Sequence, residues 1–313
     1  MDFQNFQIKF QKVEVEEFPN RVSKTPLISI IVLAYQHADF IAQCLEGILN
    51  QKTEFPYEII IGEDGSTDGT KEIVRGFAKS YPDRIKLFFH NPLNKIKVLN
   101  ETTGNFNAAF CFFQSRGKYI AICEGDDYWT DEYKLQKQVD FLKDNPDFVL
   151  SYHKFEEKYE SSSSKENRTT IEQPAKDLSK KELSGLIYHP LLSTVCFRNY
   201  LYDLPEEMMK VINVDSFLIS ILGTFGKAKF QPEIQTSVYR KHSGGIWTKK
   251  NRELQLLTKI HLFKNLVAYF RKKNKSFMDS FQKDLNNTRK MLSVLYLKDL
   301  KLFKAVKLLL GLF

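Results

Sequence analysis

The stretch Tyr57-Glu58-Ile59-Ile60-Ile61-Gly62-Glu63-Asp64-Gly65-Ser66-Thr67-Asp68-Gly69-Thr70 decides the fold. Its apolar, β-branched run predicts a buried strand that stops at two carboxylates and a glycine turn. A second stretch repeats the plan, with Lys118-Tyr119-Ile120-Ala121-Ile122-Cys123 running into Glu124-Gly125-Asp126-Asp127-Tyr128-Trp129. In an open α/β sheet, ligands bind beyond the carboxyl ends of the strands. Two strands that end in acid therefore predict one shared polar site. Crowded carboxylates repel unless a cation sits among them, and a hard divalent ion shared with substrate phosphates resolves the conflict. The implied ligand is a metal-bound diphosphate such as a nucleotide carries.

Upstream, Leu27-Ile28-Ser29-Ile30-Ile31-Val32-Leu33-Ala34-Tyr35 predicts another strand buried on both faces. Asp39 and Asp68 are placed to cap the helices that follow the first two strands. Ile85–Phe89 predicts the third strand, Asn107–Gln114 a helix and Lys118–Cys123 the fourth strand. Further on, a helix over Asp131–Leu142, strands at Phe148–Tyr152 and Ser193–Phe197, a helix over Val214–Phe225 and an extended Lys229–Arg240 are expected. Such alternation predicts a doubly wound parallel sheet with right-handed crossovers. Residues 1–25 read as a polar lead-in, and Ser161–Ser164 as an exposed loop.

A dinucleotide fold would place Gly-x-Gly-x-x-Gly after its first strand, where Ala34-Tyr35-Gln36-His37-Ala38 has no glycine. A Walker loop is missing as well. The chain resembles glycosyltransferase family 2, the inverting, bacterial nucleotide-sugar transferases of GT-A fold. Five elements in order carry the resemblance across 26–247: Ser29–Tyr35, Glu63–Thr70, Gly117–Ala121, Glu124–Asp127 and Tyr239-Arg240-Lys241-His242-Ser243-Gly244-Gly245. It implies an α/β/α sandwich around a Rossmann-like mixed sheet at 26–248, with a nucleotide half (26–128) and an acceptor half (129–248). Residues 249–313 form a basic helical extension.

By the same resemblance, Ala34, Tyr35, Glu63, Asp64, Asn107, Glu124, Asp126 and Arg240 meet the donor. Asp126 and His242 hold a divalent Mn2+ or Mg2+, and Trp247 covers the site. Glu124 stands where the family usually has the first Asp of Asp-x-Asp, and Asp127 braces the loop. Asp215, in the first turn of a helix, matches the general base of inverting transfer. Its bland reading is a first-turn acid favoured by the helix dipole. Glu206, Glu207 and Asp203 remain rivals. His37, His90, His153, His189 and His261 read as structural. The loop 90–103 departs from the family pattern, which predicts altered donor selection. The implied partners are a nucleotide-diphosphate sugar and a saccharide or lipid-linked saccharide acceptor, in polysaccharide or lipopolysaccharide assembly.

Two rivals remain at this stage. A sugar nucleotidyltransferase would want a Gly-rich, basic phosphate loop after the first strand, which this chain lacks. A non-catalytic module would be expected to lose an acid or the late His, yet Glu124, Asp126, Asp215 and His242 are all present.

Composition adds a location. The net charge of +8 is uneven, with 249–313 at +12 and the remainder at −4. In 298–313, lysines recur at three-residue spacing opposite apolar groups. One reading lays this segment on anionic lipid; the other packs it on the domain, as the stripes at 256–295 suggest. Nucleic acid is not expected, since no recognised motif accompanies the charge. Cys44, Cys111, Cys123 and Cys196 lack metal-ligand spacing and read as reduced core residues. With no apolar leader or spanning stretch, the expectation is a cytoplasmic protein, at the inner face of the membrane if the tail meets lipid.

Overall fold

The computed structural model describes residues 1–160, 173–200, 202–242, 244 and 251–309. The expected Ser161–Ser164 loop, Ser243, Gly245, Trp247 and the last four residues of the tail lie outside them.

The chain opens with α1 (Phe3–Phe10), β1 (Glu16–Glu17), β2 (Ile28–Ala34), α2 (Ile41–Leu49), β3 (Tyr57–Glu63), α3 (Thr70–Ser80) and β4 (Ile85–Phe89). A hairpin of β5 (Ile96–Val98) and β6 (Glu101–Thr103) leads to α4 (Asn105–Gln114) and β7 (Tyr119–Glu124). Then come α5 (Lys134–Asp144), β8 (Phe148–Tyr152), β9 (Phe155–Tyr159), α6 (Lys180–Ser184), β10 (Cys196–Arg198), α7 (Val214–Phe225), β11 (Lys227–Phe230) and β12 (Ser237–Lys241). Three helices close the chain: α8 (Arg252–Phe270), α9 (Lys275–Lys298) and α10 (Leu302–Leu309).

The main sheet runs β1-β4-β3-β2-β7-β10-β8-β11. Strands β4, β3, β2 and β7 are mutually parallel, as the sequence predicts. Strand β10 inserts antiparallel between β7 and β8, making the sheet mixed. The expected extended segment 229–240 is instead two strands, with β12 leaving the sheet to pair with β9.

Alternation along β2 explains the layering. Ile28, Ile30 and Val32 pack with residues of α2, α3 and α5 on one face, while Ile31 joins α4, α7 and α8 on the other. Burying each such side chain contributes about 1.5–3 kcal/mol. All four cysteines are free and buried in this core.

Residues 1–25 are no lead-in. Phe6 is buried against Phe106 and Phe113, with ring centroids 5.1 and 5.3 Å away, and β1 extends the sheet beside β4. The spacing of Phe3, Phe6 and Phe10 was the readable helical signal. The C-terminal helices also join the body, since Leu262, Leu266, Phe270 and Phe281 belong to the main core. The stripes at 256–295 therefore pack rather than face solvent.

Candidate functional site

Register assembles the site. Leu33 of β2 pairs with Gly62 of β3 and with Glu124 of β7, so both acidic strand ends finish level with Ala34. Gly62 permits this packing, because a Cβ there would overlap Asn107 Oδ1 at 1.7 Å.

On the β3 side, the Asp64 amide donates to the Ala34 carbonyl at 3.0 Å, and the Asp64 side chain is buried. Burial lifts its carboxyl to about 6 against the pull of Lys95, with Glu63 adding to the rise. The Lys95 ammonium lies 3.4 Å from Asp64 Oδ2 and 3.5 Å from the centre of the half-exposed Tyr35 ring. Lys95 was missed in the sequence; only the departure of the 90–103 loop pointed to it.

The Glu63–Thr70 stretch is chiefly a scaffold. Glu63 is buried and accepts from the amides of Gly65 and Ser66, so it braces the turn. Ser66 Oγ accepts from the Gln36 amide, Thr70 Oγ1 from the His37 amide and Asp68 Oδ2 from the Ala38 amide. Asp68 also accepts from Thr70, although the helix cap itself is Gly69. These bonds stitch 36–38 to the loop after β3 and hold Tyr35 and His37 at the mouth of the sheet.

On the β7 side, Asp126 Oδ2 is 3.1 Å from His242 Nε2 and 3.8 Å from His37 Nε2. Burial alone would raise the Asp126 carboxyl, but the His242 hydrogen bond and the nearby His37 bring it below its ordinary range. His37, read from sequence as structural, thus belongs to the cluster. Gly125 allows its approach, since a Cβ there would meet His37 Nδ1 at 2.7 Å. Burial lowers His37, with Asp126 opposing. Glu124 is pushed up to about 8 by burial and then by the charges of Asp126 and Asp215.

Asp127 is buried and accepts from the Arg240 amide at 3.1 Å, the bracing role expected of it. Two other expected donor residues face inward. Asn107 is buried beneath β3 and donates to the Gly62 carbonyl at 2.8 Å. The Arg240 guanidinium donates to the Asp126 carbonyl and to Gln43 Oε1, faces Glu160, and stacks over Tyr128 at 4.5 Å and Phe40 at 5.2 Å. Its positive group holds the acidic loop together, leaving no fork for a phosphate.

Asp215 occupies the first turn of α7 and lies 3.5 Å from His189 Nε2. Its rival Glu206 is held between Lys210 at 2.7 Å and Lys9 at 2.6 Å, which lowers its carboxyl to about 2. A base so stabilised as an anion takes a proton poorly. Asp203 is exposed, and Glu207 is half-buried beside Glu206.

A divalent ion fits Asp126 and His242. One carboxylate oxygen and one imidazole nitrogen 3.1 Å apart have the spacing of adjacent ligands, about 3 Å for bonds near 2.1 Å at right angles. Among the described residues no three His, Cys, Asp or Glu side chains are set to hold an ion.

Residues 29–197 match the family model described as Glycosyl transferase family 2. An uncharacterized protein of Mycobacterium tuberculosis is 33% identical over 223 residues, which span 70% of this chain and 60% of that protein. The hyaluronan synthase of Pasteurella multocida is 32% identical over 129 residues, 40% of this chain and 12% of the synthase. Among solved structures, S. aureus TarS 1-349 in complex with UDP-GlcNAc superposes with TM-score 0.54 at 14% identity, covering 90% of each chain. The mannosyltransferase PcManGT of Pyrobaculum calidifontis, in complex with GDP-Man and Mn2+, gives TM-score 0.53 at 15% identity over 98% of this chain and 81% of that one. At such identities the likeness shows the fold alone.

Proposed function

We propose, from the premise that this chain belongs to glycosyltransferase family 2, that it transfers a sugar from a nucleotide-diphosphate donor to a hydroxyl acceptor with inversion at the anomeric carbon. The observation that carries the reading is the shared register of β3, β2 and β7. At the carboxyl end of β2, it sets Asp64, Lys95 and Tyr35 on the β3 side and Asp126 with His242 on the β7 side. In this reading a nucleoside diphosphate bridges the two sides.

In this reading the Asp64 carboxylate accepts hydrogen bonds from the base or ribose, and Tyr35 offers an aromatic face. Asp126 and His242 would hold the divalent ion, which supplies positive charge to the departing diphosphate. Glu124, with a carboxyl lifted by burial and then by its anionic neighbours, is suited to hydrogen-bond a ribose or sugar hydroxyl. Asp215 takes the acceptor proton as the hydroxyl attacks the sugar carbon, which passes through an oxocarbenium-like state. The resemblance to a hyaluronan synthase supports a polysaccharide acceptor for this chain.

Calorimetry with UDP, GDP and their sugars, with and without manganese, tests the donor, and NMR of the product's anomeric configuration tests inversion. Nucleotide-sugar binding that requires the ion, followed by transfer with inversion, is the expected result. Absence of binding by every nucleotide sugar would overturn the reading.

A further inference from the structure

Helix α10 is apolar on both faces. Its inward residues Ala305 and Leu308 are buried in a small cluster with Leu292 and Tyr296 of α9. Outward, Leu302 is 61%, Phe303 74% and Val306 52% exposed, and Leu300, just before the helix, is 84% exposed. Single exposed apolar side chains are ordinary. Four large ones between 300 and 306 form a concentration that marks an interaction site.

Charge identifies the partner. Lysines recur at 298, 301, 304 and 307, and residues 300–309 contain no acid. Lys307 lies 4.7 Å over the Phe303 ring, and Lys301 and Lys304 line the base of the helix near Glu253. We propose that this face of α10 rests in the headgroup region of an anionic bilayer. Leu302, Phe303 and Val306 would enter the acyl boundary, with the Lys307 stem lying along the apolar surface and its ammonium group among the phosphates, while Lys301 and Lys304 stay paired with Glu253. A second copy of the chain is a poorer occupant, because pairing two such faces brings their lysines together. A bilayer of negative headgroups satisfies both the apolar and the cationic groups. The contact is lateral, since no helix among the described residues is long and apolar enough to cross a membrane. It stands independently of the sugar-transfer chemistry.

The test is co-sedimentation of the whole chain with phosphatidylcholine vesicles, with and without phosphatidylglycerol. Binding is expected only to the anionic vesicles, and raised salt should release it, because surface attraction decays over about 8 Å at physiological ionic strength. Phe303→Ser with Val306→Ser should lower binding at least about tenfold, and Lys307→Glu about fivefold or more, both without changing the melting temperature. The two variants are independent, one removing apolar surface and the other charge. Truncation is unsuitable, because it would uncover Leu292 and Tyr296. Equal binding to both vesicle types, no binding to either, or retention of binding by both variants overturns the proposal. So does concentration-dependent dimerisation lost in the Phe303→Ser, Val306→Ser variant.

Discussion

The imidazole of His189 faces the carboxylate of Asp215 across 3.5 Å, joining a histidine that no local pattern singles out to an acid in the first turn of α7. The charge of the same carboxylate adds to the rise of the buried Glu124 carboxyl.

Asp215→Asn should leave donor affinity nearly intact and lower transfer by about 10²–10⁴-fold, the span expected for loss of a general base. His189 acts through that carboxylate as a positioning residue. His189→Ala should therefore lower kcat by about tenfold with little change in donor KM. Steady-state kinetics with isothermal donor titration settles both. Near-normal turnover in Asp215→Asn would return this residue to a simple first-turn acid.

Asp126→Asn should abolish the metal-dependent part of nucleotide binding while the fold persists. The carboxylate is the anionic member of the Asp126–His242 pair, and an amide is a weak ligand for a hard ion. Calorimetry with and without manganese reads this directly; identical ion dependence in mutant and wild type would contradict it.

Arg240→Ala should destabilise the protein by about 3 kcal/mol, since it strands Gln43 and removes the cation stacked between Phe40 and Tyr128. Denaturant unfolding measures the effect. A stable variant with weakened nucleotide binding would instead restore Arg240 to the donor site.

Stability should fall with rising pH because of Asp64. Its carboxyl moves from an ordinary 3.8 to about 6 on folding. Between those values the folded chain holds a proton that the unfolded chain has released, so raising the pH through the window disfavours the folded state. The loss amounts to about 3 kcal/mol at most. Asp64→Asn should remove that slope. Chemical denaturation across the window should show the two proteins diverging, and parallel curves would refute the assignment.

Much of the architecture was legible because its determinants are local. The β-branched runs Ile28–Ala34, Tyr57–Ile61 and Tyr119–Cys123 read as buried strands, and the acids after the last two marked the carboxyl edge of the sheet. Helical spacing was equally readable, although at Phe3, Phe6 and Phe10 it was passed over as a lead-in.

Tertiary structure decided which side chains turn toward that edge. Glu63, Asn107 and Arg240 sit in the expected stretches, but nearby amides, carbonyls and rings draw them inward. Lys95, His37 and His189 enter from segments with no local signature, brought there by loop and register contacts. Asp126 and His242 meet at 3.1 Å from 116 residues apart. Periodicity and capping are properties of neighbouring residues and can be read along a chain. The direction of a polar side chain depends instead on which distant donor or acceptor reaches it once water has been excluded, and only the folded packing determines that.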